Sequence, residues 1–211
     1  EQPHPPMQLP DDIKQYIANL AKDAEAKPND VTAWQTLARV YYRASRLDPT
    51  YGDRAKQAFD HVLALDPKNL EGLQGLGNIA YDQQDRDQAI AYYRKYLALK
   101  PDDPEVRTDM GTMLFEGSKP DEAIAEFSSV IAKNPKFFQA YFNLAVVYDS
   151  QGKRDEAKKQ LEKARDLAPD DAVKQRLTAL LQAVEQGKSF QEAAADLPPP
   201  AAAPAGAAGA A

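Results

Sequence analysis

"NLAVVYDSQGKRDEAKKQLEKARDLAP", residues 143–169, decides the fold, because "GLGNIAYDQQDRDQAIAYYRKYLALKP", residues 75–101, carries the same pattern upstream. Pro67, Pro101, Pro135 and Pro169 stand 34 residues apart. At this chain's proline frequency, chance would produce that run roughly one time in two thousand, so the chain is built from a repeat. Other positions keep the same ruler. Ala55, Ala89, Ala123 and Ala157 lie 12 residues before each proline, and Phe59, Tyr93, Phe127 and Leu161 lie 8 before it. Leu76, Met110 and Leu144 lie 25 before it, each followed by Gly77, Gly111 or Ala145.

Each position has a physical reason. A small residue after a large apolar one in one helix, with alanine at the matching place in the next, lets two antiparallel helices approach closely. The aromatic or leucine before the proline then plugs the following pair. Proline falls just past the second helix, which it cannot continue. Asn69 before Leu70, and Asp103 before Pro104, read as N-caps of the next helices. Helices of about 12 to 15 residues are marginal alone in water, so stacking of neighbours must supply most of their stability. The expectation is an all-α, right-handed α-solenoid of antiparallel helix pairs.

This spacing resembles the tetratricopeptide repeat (TPR) family, with its Trp/Leu-Gly/Tyr, then Ala/Phe/Ala, then Pro pattern. Residues 31–169 hold four such repeats, at about 31–68, 69–102, 103–136 and 137–170. The first has the fullest opening, Trp34, Leu37, Ala38 and Tyr41, but needs about five extra residues around "RASRLDPTYGD" (43–53), an insertion at 44–53, to bring Ala55 and Pro67 into register. The third departs most, with Arg107 where the family has a large apolar residue and Leu114 where it has an aromatic one. That substitution is expected to weaken one interface.

The flanks read as caps. Residues 11–28 place Ile13, Tyr16, Ile17, Leu20, Ala21 and Ala24 on one helical face, as an N-terminal capping helix. Residues 171–187 place Val173, Leu177, Leu180, Leu181 and Val184 at helical spacing and stop at Gly187, as a C-terminal capping helix. Ser189 and Glu192 form a capping box for a short terminal helix, and an Ala/Pro-rich tail completes 188–211. The proline-rich 1–10 segment and the start at Glu1 suggest a processed leader or membrane anchor, which favours a periplasmic or membrane-anchored location over a cytoplasmic one.

Little in the chain points to chemistry. It has no cysteine, and its histidines are His4 and His61, so thiolate and His-rich metal sites are not expected. His61 reads as a surface residue. Asp11/Asp12, Asp102/Asp103 and Asp170/Asp171 sit at predicted helix starts, where acids cap exposed N–H groups rather than catalyse. Phosphate-loop, dinucleotide and nucleophile-elbow motifs are missing. No cofactor and no enzyme activity are expected. The net charge of −6, with acids and bases interspersed, gives a nucleic acid or anionic membrane no general attraction.

The resemblance implies a concave groove, lined by the first helix of each repeat, that receives a peptide or a helix of a partner protein. Carried over by repeat position, the groove comprises Gln35, Arg39, Tyr42 and Arg43; Gln74, Asn78, Tyr81 and Asp82; Thr108, Asp109, Thr112, Phe115 and Glu116; and Phe142, Asn143, Val146 and Asp149. Arg39 and Arg43 would meet a carboxylate, Asp109 and Glu116 a basic stretch, and Tyr42, Tyr81, Phe115 and Phe142 would anchor apolar groups. The lysine and asparagine clamp of chaperone-binding members is incomplete. Compact bacterial members that assist assembly, including cytochrome c maturation factors, look similar. A self-associating structural module, a homo-oligomer packed through its open ends or the insertion around Tyr51, is the second expectation.

Overall fold

The computed structural model describes residues 9–195; the proline-rich segment before Leu9 and the Ala/Pro-rich tail lie outside them. The described chain is helical: α1 (Asp11–Ala26), α2 (Val31–Ser45), a 3-10 turn (Pro49–Tyr51), α3 (Gly52–Leu65), α4 (Leu70–Asp82), α5 (Arg86–Leu99), α6 (Pro104–Glu116), α7 (Pro120–Lys133), α8 (Phe138–Ser150), α9 (Arg154–Asp166), α10 (Asp171–Glu185) and α11 (Phe190–Ala195). The fold is the all-α solenoid class of antiparallel helix pairs. Two compact units divide within α7: residues 1–126 and residues 127–211.

In the first unit α2 pairs with α3 and α4 with α5, while α1 packs on α2, α3 on α4, and α5 on α6. In the second, α8 pairs with α9, α10 packs on α9, and α11 on α10. The periodic residues form the buried seams. Ala55, Ala89, Ala123 and Ala157 are fully covered, and Phe59, Tyr93, Phe127 and Leu161 nearly so. The small residues make room for rings as much as for backbones. A Cβ on Gly77 would sit 2.5 Å from the ring of Tyr93 in the paired helix, and one on Gly75 would sit 2.4 Å from the ring of Phe59 in the preceding pair. One aromatic position thus wedges within a pair and its counterpart between pairs.

Side-chain caps set the helix starts. Asp30 accepts from Thr32 and Ala33 N–H, Asn69 from Gly72, Asp85 from Gln88, and Asp170 from Val173. Gln84, Ser118 and Gly152, spaced 34 apart, hold the left-handed turn between first and second helices (φ 61°, 60° and 73°). Two non-glycine residues therefore accept that strain. Ser189 and Glu192 form the reciprocal box at the start of α11, Glu192 accepting from Ser189 N–H at 2.8 Å and its own N–H donating back at 3.3 Å.

Asp103 does most among the caps. It accepts from the N–H groups of Glu105 and Val106 (3.2 Å each), from the Tyr96 hydroxyl (2.9 Å), and pairs with Lys100 (2.8 Å). Burial alone would raise its pKa, but Lys100, the Val106 N–H and the Tyr96 hydroxyl together hold it below the usual carboxylate range. A depressed folded value contributes stability above the unfolded pKa of about 3.9 and loses it as pH falls through the folded value. Asp103→Ala is expected to cost about 1–2 kcal/mol at pH 7 in urea unfolding. Its deficit against wild type should shrink below about pH 4; a deficit independent of pH would mean the carboxylate charge is irrelevant.

Three expectations need correction. Ile13 and Tyr16 do not join the buried face of α1: they are 40% and 53% exposed. Because α1 packs on α2, only a narrower stripe, Ile17 and Ala24 with Leu20 and Ala21 beside them, is covered. Arg107 is not simply a weak point. It pairs with Glu126 and donates to the Pro101 carbonyl at 2.8 Å, replacing apolar contact with polar links. His61 is part-buried rather than a free surface residue, its ring 4.1 Å from that of Trp34 and its Nε2 2.7 Å from the Pro28 carbonyl.

Candidate functional site

The first-helix face of the first unit is built by α2, α4 and α6, whose outward positions recur at the same repeat places. Bonds within and between repeats already occupy much of it. Gln35 Nε2 donates to Asn69 Oδ1 (3.0 Å) and Glu71 Oε2 (3.4 Å), and Arg39 pairs with Glu71 (3.2 Å). The Tyr42 hydroxyl donates to Asp82 (2.8 Å), and that of Tyr93 to Asn78 (2.9 Å). Glu116 faces Arg86 at 3.7 Å. Thr108 is 5% exposed, hence closed to a ligand, and the Thr112 hydroxyl donates back to its carbonyl at 3.1 Å.

What remains is a smaller set. Arg43 is exposed and forms no ion pair among the described residues; Gln74, Tyr81 and Phe115 are part-buried, and the side chains of Gln74 and Tyr81 make no hydrogen bond among the described residues. Asp109 is the outlier. Its carboxylate is part-buried and accepts no hydrogen bond among the described residues, and burial first, then the charges of Glu105, Asp103 and Asp82, raises its pKa to about 6. Its charge also helps, after burial, to raise the pKa of Tyr81 and Tyr93. The phenols stay protonated at neutral pH.

The second unit offers less. Asp149 accepts the backbone N–H of Phe190 at 2.9 Å, so it caps α11 and is not free for a ligand. Phe142 and Val146 pack against the core cluster that contains Phe190 and Ala193. Asn143 is engaged within the fold. The chain's own terminal helix thus takes part of the face that α8 would present.

Sequence reasoning missed that Glu71, and Asn69 beyond its role as a cap, absorb Arg39 and Gln35. No group of metal-binding side chains occurs among the described residues, and no described helix is long and apolar enough to cross a membrane.

Short helices paired head to tail, stacked by small and aromatic residues at a fixed period, and an exposed polar-aromatic face define a helical-repeat protein. The family model for the tetratricopeptide repeat matches residues 52–110 and 114–181, more than half of the chain, and the chain belongs to that family. Similar solved structures include MamA (24% identity, TM-score 0.67, covering 74% of this chain and 88% of that one). YrrB, described as a TPR protein with an unusual peptide-binding site, is 24% identical at TM-score 0.66, over 80% of this chain and 84% of its own. The Pseudomonas aeruginosa protein pilF is 20% identical at TM-score 0.65, over 87% and 80%. These likenesses show a shared fold. No curated sequence matches the chain.

Proposed function

We propose that the protein is a non-catalytic interaction scaffold that holds a peptide or helical segment of a partner protein on the first-helix face of α2, α4 and α6, in the assembly of a bacterial complex. One observation carries this reading: Asp109, on the same first-helix face as Tyr81 and Phe115, is a part-buried carboxylate with no hydrogen bond or ion pair among the described residues. Leaving such a group unpaired is costly, and a lysine or arginine from a partner would pair it while its stem and charge lie against the aromatic faces. Arg43, at the far end of α2, suits an acidic group of the same segment. Arg39 does not, because Glu71 already neutralises it. Family membership supports the general role, and the peptide site described for YrrB supports this kind of ligand.

The test uses a labelled peptide of alternating Lys and Leu and its Glu/Leu counterpart, titrated by fluorescence anisotropy against the full chain. The Lys peptide is expected to bind, and Asp109→Asn together with Tyr81→Ala to weaken it about tenfold or more. Equal binding of both peptides, or unchanged binding to the double variant, would sink the proposal. For the self-association alternative, Tyr51 itself offers a second copy little, being 8% exposed and packed 5.8 Å from the ring of Tyr41, while Leu47 of the same insertion is 46% exposed.

A further inference from the structure

The insertion that breaks the 34-residue period is absorbed into one wall of a second cavity. Asp48 caps the 3-10 turn through the N–H and hydroxyl of Thr50 (3.0 and 2.7 Å), and the turn buries Tyr51 against α2. Between α1 on one side and the turn with α3 on the other, α2 floors a cleft of about 690 Å³. That volume falls among those of ligand pockets. Trp34, Tyr41 and Tyr51 give it aromatic walls, with the His61 ring stacked on the indole.

The charge in this cleft opposes that of the chain as a whole. Lys14, Lys22 and Arg54 line it against Glu25 as the carboxylate among the lining residues. Lys14 pairs with Asp11 at 3.2 Å, whereas Lys22 and Arg54 form no ion pair with a carboxylate among the described residues. The Arg54 guanidinium is held over the Tyr51 ring, 5.4 Å from its centroid, which orients its fork and limits the freedom lost on binding. Asp48, bonded by Thr50, lies near enough that the charges of Lys14 and Arg54 also help to lower its pKa, so it tempers the positive charge without forming an ion pair among the described residues. Trp34, Leu37 and Tyr41 point to this side of α2, and Gln35, Arg39 and Tyr42 to the other, as 3.6 residues per turn requires.

We infer that the cleft between α1, α2 and α3 is a second binding site, distinct from the first-helix face, which takes a short acidic segment bearing an aromatic or branched aliphatic side chain. The carboxylates pair with Arg54 and Lys22, and the apolar side chain packs on the part-exposed Trp34, beside the covered Tyr41 and Tyr51. This site stands whether or not the other face binds a basic segment.

Trp34 is the sole tryptophan of the chain, so emission excited beyond the tyrosine absorption band reports on the surroundings of this cleft residue. Full-length protein is titrated with acetyl-Asp-Phe-Glu-Leu-amide and with the neutral acetyl-Asn-Phe-Gln-Leu-amide. The acidic peptide is expected to change Trp34 emission saturably and to bind about tenfold or more tighter than the neutral one. The Lys22→Gln, Arg54→Gln double variant should remove that preference, while Asp109→Asn keeps it. Both replaced side chains are exposed, so the fold is retained, as far-UV circular dichroism will show. No saturable change, equal affinity for the two peptides, or full affinity in the Lys22/Arg54 variant each overturns the inference.

Discussion

Tyr93→Ala is expected to lower unfolding free energy by about 3–5 kcal/mol, as removal of a large buried ring does elsewhere. The ring is 1% exposed and lies in the notch that Gly77 leaves, so truncation opens a void between α4 and α5 that rigid helix backbones cannot close. The hydroxyl adds a smaller term. It donates to Asn78 at 2.9 Å, and Tyr93→Phe should cost only about 0.5–1.5 kcal/mol. Urea unfolding followed by circular dichroism measures both. A loss under about 1 kcal/mol for the alanine variant would show that this seam does not hold the pair together.

Asp109→Asn is expected to do two opposite things, making the protein more stable and a poorer binder. Burial raises the folded pKa of Asp109 to about 6, above its ordinary value near 4, so its ionisation opposes folding. That cost is fully present above pH 6 and disappears as pH falls through the folded value toward the unfolded one. The amide variant should therefore gain about 1–2 kcal/mol at pH 7.5, with the gain fading by about pH 4.5. Affinity for the Lys peptide should fall about tenfold at neutral pH. In the wild type the same affinity should decline as pH drops through 6. A variant that is less stable at pH 7.5 would show that Asp109 has a stabilising partner within the fold, and the binding assignment would fail with it.

The architecture was open to sequence reasoning because its cause is local and periodic. A proline past each second helix, an alanine twelve before it and a ring or leucine eight before it report the same packing event in each repeat; the alanines and the large apolar residues are buried, while the prolines stay exposed. Caps such as Asn69 and Asp103 were legible for the same reason, since a side chain bonds N–H groups two or three residues on. The binding face was less legible. Repeat position says which way Arg39 points but not that Glu71, one repeat later, reaches it. Nor does it say that Phe190, 41 residues downstream of Asp149, takes that carboxylate as a cap. Tyr51 reads as an exposed insertion until the 3-10 turn folds it onto Tyr41. These are partnerships of distant residues, which a period of 34 does not encode.

The proposed function stands or falls on where the basic segment lies. A photoreactive phenylalanine analogue placed at Tyr81 or Phe115, on α4 and α6, should cross-link the Lys peptide in the full chain, and the same analogue at exposed Gln88 on α5 should not. Adducts at 88 equal to those at 81 and 115, or none at 81 and 115 while the peptide is bound, would contradict it.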